Sequence, residues 1–83
     1  MTKSIFSKQY RIFLRHLRAA RQRAGLTQDE LAERLGQTQS FISKCERGER
    51  RLDIVEVKIS CRALGIRFSK FSLELEKVLE KKD

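Results

Sequence analysis

Basic side chains crowd the first part of the chain, where no carboxylate accompanies them. Seven lysines and arginines occur in residues 1–26, and every aspartate and glutamate comes later. Over the whole chain 19 basic residues stand against 11 acidic ones, a formal net charge of +8. Such a block is usually a solvated face, but in a basic domain it also attracts a polyanion. DNA, RNA and anionic lipid are the candidates.

Residues able to perform catalysis or hold a metal are scarce. The chain has one histidine, His16, and two cysteines, Cys45 and Cys61, which form no CxxC pair. No Ser/His/Asp set and no glycine-rich phosphate loop accompany them. The sequence therefore predicts no enzyme, no metal site and no cofactor. Cys45 is assigned to the core, with a redox-sensing thiol as the alternative.

The elements that position the basic residues must fit into 83 residues, so we expect one domain spanning residues 1–83. Apolar residues make up 40% of the chain, which is enough for a small core, and the absence of proline favours helices. No apolar run reaches the roughly 18 residues that span a bilayer, and the first residues lack the apolar stretch of a secretory signal. We therefore expect a cytoplasmic protein without a membrane partner.

Apolar spacing and capping residues divide the chain into about five helices. The first is predicted from Ser7 to Ala24. The second covers residues 28–35 and follows a capping box formed by Thr27 and Glu30. The core stripe predicted for the first helix consists of Tyr10, Phe13, Leu14, Leu17 and Ala24.

The fourth of the predicted helices carries more apolar surface than one facing helix would cover. The fourth follows a second capping box, formed by Asp53 and Glu56, and stops at Leu64. The fifth covers residues 69–83 and serves either packing or dimerisation. One stripe of the fourth helix consists of Ile54, Val57, Cys61 and Leu64, and a second stripe of Val55, Ile59 and Ile66.

This surplus of apolar residues provides candidates for a dimer surface. Ile5 and Phe6, ahead of the first helix, are the alternative, and simple core packing of the fifth helix is a third explanation. The candidates on the last two helices are Val55, Ile59, Leu75, Val78 and Leu79.

The stretch QDELAERLGQTQSFISKCER, residues 28–47, joins two short helices through a three-residue turn. Thr38 is the predicted N-cap of the second of these, the third helix of the chain, whose body is residues 39–47. Helices joined so closely cross steeply and need a small residue where they touch and a glycine in the turn. Ala32 and Gly36 fit these roles. The pattern is typical of a helix-turn-helix rather than of a plain helical hairpin.

Residues 17–66 resemble the helix-turn-helix regulators of the lambdoid repressor and Cro type. The pieces that carry the resemblance are GLTQDELAERLG, ISKCERG and RRLDIVE. The resemblance implies an all-α, compact bundle of about five helices, a lambda-repressor-like DNA-binding domain whose third helix enters the major groove. Members are mostly dimeric transcriptional regulators, and they include phage repressors, restriction-modification controller proteins and antitoxins.

The resemblance also implies which side chains read bases. Gln39 can pair with an adenine edge, and Lys44 suits the acceptors of guanine. Phe41 is larger than the residue usual at its position, so it either touches a thymine methyl group or packs against the second helix. The base-reading positions carried over are Gln39, Ser40, Ser43 and Lys44.

Phosphate contacts are expected around these positions. Gln28 begins the second helix, where free N–H groups favour an anion, and in the family this glutamine often braces the one that matches Gln39. The resemblance pairs Arg21 with Glu46 as a structural ion pair between the first and third helices. The phosphate candidates are Gln28, Arg18, Arg47, Arg50 and Arg51.

Together these features favour a sequence-specific DNA-binding transcriptional regulator of bacterial or phage type, a dimeric repressor or autoregulator. One reading helix contacts too few base pairs to select a site, so we expect a homodimer on double-stranded DNA with a palindromic operator. The alternative is an antitoxin or another interaction module that silences a protein partner such as a toxin, with DNA binding secondary.

Overall fold

The computed structural model describes the backbone of residues 3–82 and the side chains of residues 7–81. Within these residues the chain forms five helices and no strand, which confirms the predicted all-α bundle. None of the described helices combines the length and the hydropathy needed to cross a membrane. The helices are α1 (Lys3–Arg23), α2 (Gln28–Leu35), α3 (Gln39–Glu46), α4 (Ile54–Leu64) and α5 (Phe68–Lys82).

Capping side chains set the starts of α2 and α4 at the predicted residues. The Thr27 hydroxyl accepts from the backbone N–H of Glu30 at 3.1 Å, while the Glu30 carboxylate accepts from the N–H of Thr27 at 2.8 Å. Asp53 and Glu56 form the same reciprocal pair before α4, at 2.8 and 2.9 Å. Each box satisfies two of the N–H groups that the start of a helix leaves without a partner.

The bounds of α1 and α5 differ from the predicted ones. α1 begins at Lys3, four residues before Ser7, because no glycine or proline interrupts the helix there. It ends at Arg23, and Ala24 is exposed rather than part of the core. α5 begins at Phe68, one residue before the predicted start at residue 69. Phe68 is half-buried and packs against the core as part of the helix.

All five helices contribute to the core or pack against it. Ile54, predicted to belong to the core stripe of α4, is 70% exposed. It is the first residue of the helix, and its side chain leans towards the N-terminus, beyond the elements that cover the rest of α4. Ser60 is buried on the core side of α4 instead. The core cluster consists of Leu17, Ala20, Leu31, Ala32, Ile42, Val57, Cys61, Leu64 and Phe71.

The segment between α3 and α4 lies directly against α1. The Tyr10 hydroxyl accepts from the backbone N–H of Leu52 at 3.0 Å. Gly48 has a φ of 82°, and a Cβ atom at this position would come within 3.3 Å of Leu14 Cδ1. A side chain is therefore disfavoured here by both the backbone conformation and the space. These contacts hold the exit of α3 against α1.

Candidate nucleic-acid interface

The joint between α2 and α3 depends on a small residue and a left-handed glycine. Ala32 is buried where the helices meet, so their backbones approach closely. Gly36 closes α2 with a φ of 67°, in the region that favours glycine. The Thr38 hydroxyl then accepts from the N–H of Phe41 at 3.1 Å and starts α3. The joint thereby fixes the direction in which α3 leaves α2.

One side of α3 is buried and the opposite side faces solvent. Ile42 and Cys45 are buried on the underside, and Phe41 packs half-buried against the core. The residues expected to read bases lie on the outer side, where all but the half-buried Ser43 are exposed. We call this set the reading face: Gln39, Ser40, Ser43 and Lys44.

Three side chains form a hydrogen-bonded chain that leads from the reading face into the fold. Gln39 Nε2 donates to Gln28 Oε1 at 2.6 Å. Gln28 Nε2 donates in turn to Glu46 Oε1 at 2.9 Å. The first residue of α2 thus connects the first and last residues of α3.

Glu46 is also joined to α1 through a buried ion pair. Arg21 Nε and Nη2 donate to the two carboxylate oxygens of Glu46 at 2.6 and 3.2 Å, and Arg21 Nη1 donates to the carbonyl of Leu26 at 2.7 Å. The side chains of Arg21 and Glu46 are only 9% and 8% exposed. Arg18 Nε lies 3.9 Å from Glu46 Oε1, and its own side chain is 59% exposed. Helix α1 therefore places the buried Arg21 and the exposed Arg18 beside Glu46, where the series of hydrogen bonds from Gln39 ends.

Arg47, a phosphate candidate, lies at the C-cap of α3 and is exposed. Its guanidinium donates to the Ser43 hydroxyl and, at 2.9 Å, to the Glu49 carboxylate. The hydrogen bond from Arg47 holds the pKa of Glu49 below its usual range. The Ser43 hydroxyl therefore already accepts one hydrogen bond from within the chain.

Arg50 and Arg51, also phosphate candidates, both have contacts within the chain. Arg50 Nη2 donates to Glu56 at 2.7 Å, and its guanidinium carbon lies 4.8 Å from the centre of the Phe41 ring. The hydrogen bond from Arg50 lowers the pKa of the Glu56 carboxyl. The Arg51 guanidinium carbon lies 4.3 Å from the centre of the Tyr10 ring. These contacts hold the segment after α3 in place. Both arginines remain exposed, so their positive charge stays at the surface.

The cysteines and the histidine form no reactive cluster in the part of the chain that the structure describes. There, no group of three or more His, Cys, Asp or Glu could hold a metal. Burial raises the pKa of Cys45, and it raises that of Cys61 to about 11, so both remain thiols near neutral pH. The His16 ring packs 4.8 Å from the ring of Phe71.

The helix-turn-helix family model matches residues 17–71, which contain α2, the turn and α3 together with their supporting helices. The chain belongs to the helix-turn-helix family. This result confirms the resemblance found in the sequence, and it makes the fold that of a DNA-binding regulator, a type that is generally not catalytic.

A solved structure extends the likeness of this helix-turn-helix protein to nearly its whole length. The XRE-family like protein from Pseudomonas syringae pv. tomato str. DC3000 is 46% identical, with a TM-score of 0.84. The match covers 92% of this chain and 93% of that chain. No curated protein matches the chain.

Sequence reasoning missed the hydrogen bond between Gln28 and Glu46. The two residues are 18 positions apart and lie on different helices, so no periodicity connects them. The resemblance suggested that Gln28 braces Gln39 and that Glu46 pairs with Arg21, as two separate features. Only the crossing of α2 and α3 shows that Gln28 joins them into one network.

Proposed function

We propose that the protein is a dimeric, sequence-specific DNA-binding repressor that inserts the reading face of α3 into the major groove. The observation that carries the proposal is the asymmetry of α3. Its underside is buried, whereas Gln39, Ser40 and Lys44 are exposed and Gln39 is already braced. A helix held in this way presents polar groups to base edges without having to order them on binding.

The reading face has the chemistry to distinguish base pairs. A glutamine amide at position 39 offers a donor beside an acceptor, which matches the N7 and N6–H₂ groups of adenine. Lys44 suits the O6 and N7 acceptors of guanine, and the hydroxyl of Ser40 can donate or accept. Each well-placed pair contributes roughly 1–3 kcal/mol of discrimination. Two or three such contacts define one half-site.

Positive charge around the reading face supports binding to the phosphate backbone. Arg18 is exposed beside Glu46, to which Gln28 donates. Gln28 itself begins α2, where N–H groups and the helix dipole favour an anion. Arg47 is exposed at the other end of α3. Arg50 and Arg51 follow Arg47, and we assign both to phosphate contacts. Within the chain, Arg50 already pairs with Glu56, and Arg51 already lies over the Tyr10 ring. Backbone contacts of this kind position the protein without reading sequence.

Exposed apolar residues on α4 support the proposal of a homodimer. Val55 and Ile59 are 60% and 52% exposed, and Ile54 lies beside them. Leu75, Val78 and Leu79, the other candidates, are half-buried on α5, and Leu75 packs against the core. The side chains of the alternative pair, Ile5 and Phe6, lie outside the described residues. We therefore assign the primary dimer contact to α4, with two reading helices about 34 Å apart.

Selection of bound duplexes from a random library tests the proposed function. The wild type is expected to enrich a palindrome. Gln39→Ala should relax preference at one base pair in each half-site, whereas Arg18→Ala should weaken all duplexes equally and reduce the salt slope by about one. A wild type that enriches no sequence would refute the proposal. The opposite pattern for the two variants would reverse their assigned roles.

Sizing of the free protein tests the dimer surface separately. Ile59→Glu should shift the protein towards monomer and weaken binding to the full palindrome, because a charge would be buried at the contact. Leu73→Glu is the matched control. Leu73 is an aliphatic residue exposed to the same extent as Ile59, 53% against 52%, but it lies on α5. Dimers that persist in Ile59→Glu would rule out α4 as the contact.

A transcriptional reporter tests whether binding represses. The selected palindrome is placed over a promoter, and expression of the protein should lower the output of the reporter. Gln39→Ala, expressed at the same level, should restore the output. An increase with the wild type would assign activation instead.

A further inference from the structure

We propose that Glu56, in the first turn of α4, is an internal competitor for the DNA phosphate that Arg50 contacts. It pairs with Arg50 in the free protein and thereby weakens binding to every duplex to the same extent, without altering the choice of base. The inference rests on the proposed function, because it concerns one of the arginines assigned to the phosphate backbone. It adds a residue that limits affinity and that lies outside the reading face.

The carboxylate of Glu56 occupies the edge of the Arg50 guanidinium that is formed by its two terminal nitrogens. Arg50 Nη2 donates to Glu56 Oε2 at 2.7 Å, and Arg50 Nη1 donates to Glu56 Oε1 at 3.2 Å. The two groups therefore meet at two points, in the geometry by which arginine also binds a phosphate. A phosphate cannot use the same edge while the carboxylate remains there.

Further contacts hold both partners of this pair in place. Arg50 Nη1 also donates to the Arg51 carbonyl at 3.0 Å, and the guanidinium carbon lies 4.8 Å from the centre of the Phe41 ring. Glu56 accepts from the N–H of Asp53 at 2.9 Å, as part of the capping box of α4. Because both side chains are already ordered, the pair avoids much of the entropy cost that makes most exposed ion pairs weak.

The pair is also less exposed than the ion pair between Arg47 and Glu49, which lies in the same segment after α3. The side chains of Arg50 and Glu56 are 42% and 32% exposed. Those of Arg47 and Glu49 are both 55% exposed. Since partly buried charges are screened less by salt, we expect Glu56 to compete with DNA more strongly than Glu49 does.

A phosphate that approaches Arg50 must therefore overcome the charge of Glu56. If the phosphate takes the edge formed by Nη1 and Nη2, the carboxylate has to leave and loses two hydrogen bonds. If it takes the remaining N–H groups, two anions share one guanidinium and repel each other. Both arrangements reduce the affinity. The reduction is independent of sequence, because a phosphate contact carries no base information.

Glu56→Gln tests the competition without removing the capping box of α4. Glutamine serves a capping box as glutamate does, so α4 should start at the same residue. The probes are the selected palindrome and a scrambled duplex of equal length, both titrated at one fixed salt concentration. We expect Glu56→Gln to bind both about two- to fivefold more tightly than the wild type, in keeping with the strength of an exposed ion pair. The ratio between the two affinities should stay unchanged.

A double-mutant cycle shows whether the gain depends on Arg50. Arg50→Met removes the guanidinium and keeps an apolar side chain that can lie against Phe41. If Glu56 acts through Arg50, most of the gain from Glu56→Gln should disappear in the Arg50→Met background. An equal gain in both backgrounds would mean that Glu56 merely repels DNA at long range, and it would overturn the inference.

Two further outcomes would also overturn it. Weaker binding of both duplexes by Glu56→Gln would show that the carboxylate holds Arg50 in the position that contacts the phosphate. Glu76→Gln removes the same charge from an exposed residue of α5 and is the control for net charge. It should bind both duplexes as the wild type does, and a gain equal to that of Glu56→Gln would assign the effect to net charge alone.

The free protein provides a readout of the pair that needs no DNA. The hydrogen bond from Arg50, together with the one from the Asp53 N–H, holds the pKa of the Glu56 carboxyl below its usual range. In protein labelled with ¹³C at the glutamate carboxyl groups, Arg50→Met should raise this pKa, whereas Glu76→Gln should leave it unchanged. A pKa of Glu56 that does not respond to Arg50→Met would show that the pair does not form in solution.

The two duplexes distinguish a failure of this inference from a failure of the proposed function. If selection enriches no palindrome, the proposed function fails, and the effect of Glu56→Gln can still be measured on a duplex of arbitrary sequence. If the wild type prefers the palindrome but Glu56→Gln leaves both affinities unchanged, only the inference fails. If the wild type binds no duplex at all, both fail.

Discussion

Removal of the Glu46 carboxylate should destabilise the fold far more than the loss of an ordinary surface charge. In Glu46→Ala, Arg21 loses two hydrogen bonds to carboxylate oxygens, of 2.6 and 3.2 Å, and keeps only the one to the carbonyl of Leu26. Its guanidinium remains in a site where the side chain is 9% exposed. The variant therefore leaves a buried charge without its counter-charge.

The magnitude follows from the burial of the pair. Removing one partner of a buried ion pair costs about 3–5 kcal/mol. A domain of this size loses about 4–8 °C of melting temperature for each kcal/mol, so the melting temperature should fall by about 12–40 °C. The total stability of small domains is about 5–15 kcal/mol, and Glu46→Ala would remove a large share of it.

Urea unfolding followed by circular dichroism measures this loss. The matched control is Glu49→Ala, which removes the carboxylate from an ion pair of 2.9 Å whose side chains are both 55% exposed. Water compensates an exposed pair, so the urea midpoint of this variant should stay at the wild-type value. Equal midpoints for Glu46→Ala and Glu49→Ala would refute the reasoning.

A double variant checks the cause of the loss. Arg21→Met combined with Glu46→Leu removes both charges and fills their space with apolar groups, which is often neutral for a buried pair. The double variant should therefore be more stable than Glu46→Ala. A double variant that is less stable would show that the loss comes from something other than the unpaired guanidinium.

Three further perturbations test the turns, the core and a helix cap. Gly48→Ala should destabilise the fold more than Gly25→Ala. Both positions have positive φ, 82° and 75°, so a backbone strain of about 1–2 kcal/mol is common to both. Only at Gly48 would the added Cβ also meet Leu14 Cδ1, at 3.3 Å. Cys61→Ala should flatten the decline of stability between pH 9 and 11. In the wild type burial raises the pKa of Cys61 from 9.0 to about 11, so only the unfolded chain ionises in this window and about 3 kcal/mol is lost as the pH rises. Thr27→Ala should cost about 1 kcal/mol in thermal melts, and Thr27→Ser should not.

Each of these expectations has a result that contradicts it. Equal losses for the two glycine variants would mean that Leu14 moves aside freely. An alkaline decline that persists in Cys61→Ala would assign it to other titrating groups. A wild-type melting curve for Thr27→Ala would show that the capping box before α2 contributes no stability.

The ends of the middle helices could be predicted because their causes are local. A capping box involves residues three positions apart, so Thr27 with Glu30 fixes the start of α2 from sequence alone. The start of α1 could not be found in this way, since the first turn of α1 has no acidic residue to complete such a box and the helix continues back to Lys3.

Burial within a correctly predicted helix was harder to infer. Periodicity identifies which residues share a side of α4, but it does not show how far along that side a neighbouring helix extends. Ile54 has the spacing of a core residue but is 70% exposed, because it is the first residue of α4 and its side chain leans beyond the start of the helix. The hydrogen bonds at the candidate site likewise depend on how the helices are placed relative to one another. Gln28 and Glu46 meet only because the turn at Gly36 sets the crossing of two helices.

The bracing of Gln39 by Gln28 has a consequence for how a new target sequence could be acquired. Ser40 and Lys44 are exposed, so in the proposed complex either can be exchanged alone. Gln39 differs, because its replacement would remove the hydrogen bond that Gln28 Oε1 accepts and would change the position of Gln28 as well. Retargeting through position 39 is therefore coupled to position 28, so a library that changes the preferred base pair there should randomise both codons together.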